Sequence, residues 1–203
     1  MIGLGLGLGL GFNSPAAHVP PPATNTHPEF LLQTEILHLG DKTSEGNLIR
    51  AIALPWFEIV DCIDRSPEFL FQFAQNPRKF EEFIAATYER AGFEVILTPQ
   101  RGDLGRDVIA TKKGWGSVRF LEQTKAYSPG HLVTHEDVRA MLGTLLTDQR
   151  ASKALITTTS AFQPGILKSG SEFERFIPHR LELKDGVQTR EWVRQIAAGR
   201  TAE

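Results

Sequence analysis

Helix-like and strand-like patterns of apolar residues alternate over most of the chain after residue 76. Asn76-Pro77 is a typical helix start, because a capping side chain precedes a proline at the first helical position, and Gly92 is a typical helix end. Apolar side chains share one face of this predicted helix at positions 80, 83, 84, 87, 88 and 91. At about 100° per residue, Glu81 lies at the edge of that face and Glu82 points away, so only Glu81 is expected to reach inward.

The remaining elements follow from the same reasoning. Strands are predicted at residues 93–97, 107–111, 117–126, 153–160 and 180–183. Helices are predicted at residues 134–149, 164–176 and 189–198, the first of them capped by Thr134. Helix first, three successive strands, then alternating helix and strand predicts an α/β fold with a mixed central β-sheet flanked by helices on both faces.

The first 76 residues have a different character. Residues 1–28 alternate leucine with glycine and then become proline-rich, so we expect a disordered, low-complexity N-terminal segment. Its apolar run is too short to cross a bilayer and has no basic residues before it, so no membrane partner is expected. Residues 29–76 are predicted to form a small, mostly helical lead-in, with a possible strand pair at 35–39 and 48–54. The main domain is then 77–198, and 199–203 is a tail.

Charge and cysteine content narrow the setting. The chain has 203 residues and a net charge of -2, which excludes binding to nucleic acid through bulk positive charge alone. The charge is uneven, because residues 1–77 carry three basic and eight acidic side chains, whereas residues 78–203 carry 19 basic and 16 acidic. Cys62 is the only cysteine, which excludes an internal disulfide and favours a reducing compartment such as the cytoplasm.

Candidate chemistry lies in the predicted strands after residue 106. Asp107 opens one strand, and Gln123 and Lys125 end the next, roughly fifteen residues later. Successive strand side chains alternate between faces, so Gln123 and Lys125 share a face and Glu122 points to the other. A carboxylate beside an ammonium suits metal-assisted hydrolysis of a phosphodiester.

An ordered series of short motifs between Pro77 and Trp192 resembles the Mrr-like restriction endonuclease domains, a branch of the PD-(D/E)xK nuclease superfamily. The motifs are Arg-Lys-Phe-Glu at 78–81, Gly-Phe-Glu-Val at 92–95, Asp-Leu-Gly-Arg-Asp at 103–107, Gln-Thr-Lys-Ala-Tyr at 123–127 and Thr-Thr-Thr-Ser-Ala-Phe at 157–162. The resemblance implies a restriction-endonuclease-like core in which Glu81 is the helix carboxylate, Asp107 the principal metal ligand, and Gln123 and Lys125 the polar member and lysine of the catalytic motif. Glutamate often stands at the position of Gln123, and glutamine is a variant of the Mrr-like branch.

The implied cofactor is Mg²⁺, with Mn²⁺ able to substitute. Magnesium prefers oxygen ligands and keeps several waters, so it needs few ligands from the protein. Asp107, the side-chain carbonyl of Gln123 and Glu81 are expected to be sufficient. Lys125 is expected to orient or deprotonate the attacking water, or to stabilise charge that develops on the phosphate. Exposed cations near the motif are candidates for contacts with the DNA backbone, namely Arg101, Arg106, Lys112 and Lys113.

The leading hypothesis is a metal-dependent DNA endonuclease that acts in restriction or defence against foreign or modified DNA. Its expected partners are double-stranded DNA and further copies of this chain, since cutting both strands of a duplex suits a homodimer or larger homo-oligomer. Two alternatives stay open. One is a structure-specific nuclease for junctions or repair, and the other is a nuclease-like domain that binds DNA without cutting it.

Overall fold

The computed structural model describes residues 28–102, 104–114 and 116–199. Residues 1–27, 103, 115 and 200–203 lie outside that description, and with them most of the expected disordered segment and of the tail. The helices are α1 (Pro28–Leu31), α2 (Leu54–Arg65), α3 (Pro77–Arg90), α4 (His135–Thr147) and α5 (Gly186–Ala197), with a 3-10 stretch at Pro67–Gln75. The strands are β1 (Leu37–Lys42), β2 (Asn47–Ile52), β3 (Glu94–Leu97), β4 (Val108–Lys112), β5 (Val118–Lys125), β6 (Leu132–Val133), β7 (Lys153–Thr158), β8 (Ala161–Phe162) and β9 (Leu181–Lys184).

Seven of these strands form one mixed sheet in the order β1-β2-β3-β4-β5-β7-β9. Neighbours from β1 to β5 are antiparallel, whereas β5, β7 and β9 run parallel. The two parallel pairs need crossover connections, which the chain supplies after β5 and after β7. The short strands β6 and β8 pair with each other beside the main sheet.

Each face of the sheet is covered by its own hydrophobic core. The face that carries α3 includes Phe80, Phe83 and Val108, together with residues of α2 and α5. The opposite face, under α4, includes Ile109, Leu121 and residues of β7. Adjacent residues such as Val108 and Ile109 therefore enter different cores, as the alternation of strand side chains requires. The expected α/β fold with helices on both faces is confirmed.

The segment before α3 contributes to the same sheet. Its predicted strand pair forms as β1 and β2, and β2 extends the sheet by pairing Asn47 with Leu97 and Leu48 with Ile96. The buried Trp56 on α2 donates a 3.3 Å hydrogen bond from its indole nitrogen to the carbonyl of Phe83. Besides β1 and β2, this segment contains α1, α2 and the 3-10 stretch, and it shares its core with the rest of the chain.

The helix expected at residues 164–176 does not form. The segment folds as successive turns, in which the nitrogen of Lys168 bonds to the carbonyl of Gly165 and the nitrogen of Ser171 to that of Lys168. Gly165 and Gly170 have φ angles of +101° and +81°, which lie outside the α-helical region and interrupt the ladder. Ile166 and Phe173 are nevertheless buried. The apolar side chains whose spacing resembled that of a helix therefore pack into the core from turns.

No helix in the described ranges is both long enough and apolar enough to cross a bilayer.

Candidate active site

Asp107 is fixed by hydrogen bonds to the strands on both sides of it. Its backbone nitrogen donates to the carbonyl of Glu122 at 2.8 Å, and its carbonyl accepts from the nitrogen and hydroxyl of Thr98 at 3.0 and 2.9 Å. Its carboxylate oxygen Oδ2 accepts from the backbone nitrogen of Thr124 at 2.7 Å and from the Thr124 hydroxyl at 3.1 Å. The carboxylate therefore lies against β5 in a defined orientation.

Asp107 lies beside the end of β5, directly before the paired part of β4. Val108 pairs with Glu122, and Asp107 bonds to Glu122 and Thr124, the two residues that flank Gln123 in sequence. Gln123 and Lys125 share the face of Leu121, which belongs to the core under α4. The structure thus brings Asp107, Gln123 and Lys125 to one end of the β4–β5 pair.

Glu122 occupies the other face, as strand alternation predicts. Its side chain is fully buried under α3, where the Tyr88 hydroxyl donates to Oε2 at 2.7 Å. Burial raises its pKa to about 7, although the nearby charge of Lys184 and the hydrogen bond from Tyr88 act in the opposite direction. Glu122 therefore lies on the opposite face of β5 from Gln123 and Lys125.

The side-chain oxygen of Gln123 indicates how a metal ion fits. Oε1 is buried and has no hydrogen-bond donor among the described residues. A buried polar atom without a partner costs about 1–3 kcal/mol, so such atoms are rare in folded proteins. A cation that prefers oxygen ligands would satisfy Oε1 and use the neighbouring carboxylate of Asp107 as well.

Imidazole, thiolate and carboxylate groups alone do not build a metal centre here. No cluster of three or more His, Cys, Asp or Glu side chains that could hold an ion occurs within residues 28–102, 104–114 and 116–199. The amide oxygen of Gln123 is a further candidate donor for an ion. Oxygen donors of this kind suit Mg²⁺ or Mn²⁺ better than zinc or copper.

Lys125, the last residue of β5, forms an ion pair with Asp137 in the first turn of α4. Its Nζ lies 2.9 Å from Oδ1 of Asp137 on α4, and each side chain is about one-fifth exposed. Oδ2 of Asp137 accepts from the nitrogen and hydroxyl of Thr134, at 2.9 and 2.8 Å, in the capping box that starts α4. Burial alone would raise the pKa of Asp137, but these hydrogen bonds and the Lys125 ammonium together lower it below its usual value.

Asp137 is the site residue that sequence reasoning missed. The sequence assigns it to the first turn of a helix, where an acidic residue stabilises the exposed backbone nitrogens. Only the crossover from β5 to α4 brings this turn back to Lys125. The sequence did contain one signal for this contact. On the first helix after Lys125, an acidic residue, Asp137, stands three positions after the capping residue Thr134.

Glu81 is linked to the same end of the sheet through Arg78. The guanidinium of Arg78 donates from Nη1 both to Oε2 of Glu81 and, at 2.9 Å, to the carbonyl of Thr98. Thr98 in turn bonds to the carbonyl of Asp107. This places the helix carboxylate at the end of the sheet where β4 begins.

The side chains of Glu81 and Glu82 differ little in exposure, although the sequence predicts that Glu82 points away from the buried face. The two side chains are 16% and 20% exposed, because Glu82 is covered by an ion pair of 2.6 Å with Lys79. Glu82 is therefore sheltered instead of projecting into solvent. The two glutamates differ in their partners. Glu82 pairs with Lys79, whereas Glu81 pairs with Arg78, which also bonds to the carbonyl of Thr98 directly after β3.

Arg106, expected to contact the DNA backbone, takes part in a cluster of ion pairs. Its guanidinium lies 2.9 Å from Asp148 and 3.4 Å from Glu45, and its side chain is 12% exposed. Arg119 and Arg150 pair with the same Glu45 at 2.7 and 2.8 Å. These five residues, here called the arginine cluster, join the β1–β2 turn to the segment before Asp107 and to the segment after α4.

The other three basic candidates lie at two ends of the β3–β4 region. Arg101 is exposed in the loop that leads to Asp107. Lys112 ends β4, and at about 3.3 Å per residue it is roughly 16 Å along the strand from Asp107. Its ammonium lies 5.2 Å from the centre of the Phe93 ring, and Lys113 pairs with Glu94 at 3.3 Å.

The comparison with known families decides which group this arrangement represents. A sequence profile of the Mrr catalytic domain, described as a restriction endonuclease, matches residues 74–193, which is more than half of the chain. The chain belongs to the Mrr-type restriction endonuclease family. Membership confirms the resemblance that the motifs indicated, and it places the chain in a family of DNA-cleaving enzymes.

Two solved restriction endonucleases are similar to this Mrr-type chain. The DNA modification-dependent restriction endonuclease AspBHI is 17% identical with a TM-score of 0.46, and the match covers 83% of this chain and 41% of that chain. MspJI in complex with a 27-mer oligonucleotide is 17% identical with a TM-score of 0.38, covering 70% and 30%. The chain thus spans less than half the length of either enzyme. A search of curated proteins found no matching relative.

Proposed function

We propose that this chain is a metal-dependent endonuclease that hydrolyses phosphodiester bonds of double-stranded DNA, in restriction or defence against foreign or modified DNA. The observation that supports it most is the buried Oε1 of Gln123, which has no donor among the described residues; the next residue, Thr124, holds the Asp107 carboxylate. Family membership supports the same reaction class. The single cysteine and the DNA substrate favour the cytoplasm.

Asp107 and Gln123 are the residues we propose to hold Mg²⁺, with Mn²⁺ as a substitute. Glu81 is the remaining proposed ligand, on the helix that reaches the same end of the sheet. A divalent ion held by these residues would supply an activated water and positive charge beside the phosphate.

The chain's own residues then orient the reactants and stabilise charge. Asp107 is held by Thr124, so its carboxylate does not have to reorganise when substrate arrives. The ammonium of Lys125 stabilises the negative charge that grows on the phosphate oxygens. Hydrolysis adds hydroxide to phosphorus, breaks the P–O3′ bond and protonates the departing oxygen, which leaves 5′-phosphate and 3′-hydroxyl ends.

The direct test is cleavage of plasmid DNA by the purified full chain with Mg²⁺ or Mn²⁺. We expect nicked and linear products from the unchanged protein, and none from Asp107→Ala or Lys125→Ala. Lys113→Ala removes an exposed ammonium at the other end of β4 and should cut normally. Failure of the unchanged protein to cut plasmid or single-stranded DNA, or normal cleavage by Lys125→Ala, would contradict the proposal.

The preferred substrate is addressed by a panel of plain, methylated, nicked and branched duplexes. Restriction predicts cleavage of linear duplexes that depends on base modification or sequence, whereas a junction or repair nuclease would cut the branched substrate best. We also propose a homodimer or larger homo-oligomer, because duplex DNA presents two strands related by two-fold symmetry. Light scattering with and without DNA measures that state.

A further inference from the structure

The ion pair between Lys125 and Asp137 is unusually well constrained for a lysine. A lysine side chain has four flexible carbons, and its ammonium is a point charge without a preferred plane. Here Nζ meets Oδ1 of Asp137 at 2.9 Å, while Oδ2 is occupied by two donors from Thr134. The carboxylate is thus fixed to the start of α4 before it meets the lysine.

The backbone of Lys125 is fixed as well. Its carbonyl accepts from the Thr158 hydroxyl at 2.8 Å and from the Thr159 nitrogen at 3.1 Å, at the end of β7. Thr159 also bonds through its hydroxyl to the nitrogen and carbonyl of Tyr127, at 2.7 Å each. The contacts with the end of β7 therefore fix the backbone of Lys125, and Asp137 on α4 fixes the position of its ammonium group.

We propose that Asp137 is a positioning residue that holds the Lys125 ammonium towards the reacting phosphate, an inference that rests on the proposed function. The capping box that starts α4 needs no lysine, since its bonds run between Thr134 and Asp137 themselves. The pair also places a negative charge close to where an anionic substrate must bind, which disfavours DNA binding. A group that opposes substrate binding yet fixes a cation is expected to act on the rate of the reaction and not on affinity.

Three variants separate positioning from capping. Asp137→Asn keeps a side-chain oxygen for Thr134 but removes the charge that holds Lys125. Asp137→Glu keeps the charge, and glutamate is a common third residue in capping boxes. Asp185→Asn is the capping control, because Asp185 is the N-cap of α5 in a second capping box with Gln188 and pairs with no lysine among the described residues.

Steady-state cleavage and DNA affinity are measured together for each variant. Misplacing a catalytic cation by a fraction of an ångström lowers turnover strongly, so we expect Asp137→Asn to lose about 10- to 100-fold in kcat. Its Kd for DNA should be unchanged or tighter, because a negative charge is gone. Asp137→Glu should stay within about threefold of the unchanged kcat, and Asp185→Asn should alter neither quantity.

Two results would overturn the inference. One is normal turnover by Asp137→Asn. The other is a parallel loss of turnover and affinity in Asp137→Asn, with the same fall in melting temperature as in Asp185→Asn, which indicates a capping role only.

A second measurement does not depend on nuclease activity. In metal-free protein, limited acylation followed by mass spectrometry reports how freely Lys125 reacts. We expect severalfold faster labelling of Lys125 in Asp137→Asn than in the unchanged protein or in Asp185→Asn, since the ammonium loses its partner. Equal labelling in all three proteins would refute the positioning role even if the chain cleaves DNA. If the chain cleaves no DNA, faster labelling would still support the contact while the proposed function fails.

Discussion

Three consecutive residues at the end of β5 face three different environments. Glu122 enters the core under α3, Gln123 lies on the face of Leu121 and Lys125, and Thr124 holds the Asp107 carboxylate through its backbone nitrogen. A shift of one residue in strand register would exchange these environments completely. The functional residues are therefore specified by the same alternation that builds the two cores.

A pH prediction at the residue scale concerns Glu122. Its pKa is raised from 4.5 to about 7 in the folded chain, mainly by burial, so the folded state binds more protons than the unfolded state between those pH values. The contribution of Glu122 to the free energy of unfolding should therefore fall as pH rises from about 4.5 to about 7. In Glu122→Gln this penalty is absent, and its stability relative to the unchanged protein should increase by on the order of 2–3 kcal/mol between pH 5 and pH 8.

Urea unfolding at several pH values, in the presence of a chelator, measures this difference. Glu35→Gln serves as a control, because it makes the same substitution at a side chain that is 69% exposed. Parallel stability curves for Glu122→Gln and the unchanged protein would show that burial of this carboxylate carries no titration penalty.

At the scale of elements, capping side chains mark where the long helices after residue 76 begin. Asn76 and Thr134 cap α3 and α4 at the positions that the sequence predicts. The last helix begins three residues before the predicted start, because Asp185 and Gln188 form a capping box and Gly186 is its first residue. A cap followed by glycine is a weaker signal than a cap followed by proline.

Gly186 leads to a prediction about the start of α5. A Cβ on Gly186 would lie 2.5 Å from the carbonyl oxygen of Thr159, whereas a Cβ on the exposed Gly143 of α4 would meet nothing within 4 Å. Gly186→Ala should therefore destabilise the chain by about 1–3 kcal/mol through overpacking. Gly143→Ala should stabilise it by roughly 0.5–1 kcal/mol, since alanine favours a helix over glycine.

Thermal unfolding of both alanine variants checks this pair. The two substitutions add the same methyl group, so the difference in sign isolates the contact with Thr159. A stabilising Gly186→Ala would mean that α5 can move away from the end of β7 at no cost.

At the scale of the whole molecule, the positive charges are distributed over two separate ends. Arg106 and Arg119 form ion pairs within the arginine cluster. This cluster joins the β1–β2 turn to the segment before Asp107 and to the segment after α4. Lys112 and Lys113 extend from the end of β4 that is far from Asp107. Arg101 is the basic candidate that lies exposed in the loop next to the proposed site.

This distribution predicts unequal effects on DNA binding. Arg101→Gln should weaken DNA affinity about threefold to tenfold and reduce its salt dependence, as expected for one lost phosphate contact. The double variant Lys112→Gln/Lys113→Gln removes two charges at the other end and should change affinity less than Arg101→Gln. Fluorescence anisotropy over a series of salt concentrations measures both, and a larger loss in the double variant would place the DNA along the whole length of β4.

Local sequence determined the elements and the faces of their side chains. Caps at Asn76 and Thr134, together with alternation in β5, were sufficient to predict the α/β fold and to separate Glu122 from Gln123 and Lys125. The predicted helix at 164–176 was wrong because apolar spacing alone cannot show that glycines adopt positive φ angles there. The motif residues also carried the family resemblance, which the profile match confirms.

Only the tertiary structure decided which distant residues meet. The pairing of Lys125 with Asp137, the arginine cluster and the extension of the sheet by β2 all join residues that are distant in sequence or lie on different elements. Periodicity and capping act over a few neighbouring residues, whereas these contacts depend on strand order and crossover path. The sequence by itself therefore specified the residues of the proposed chemistry, and the fold decided their partners.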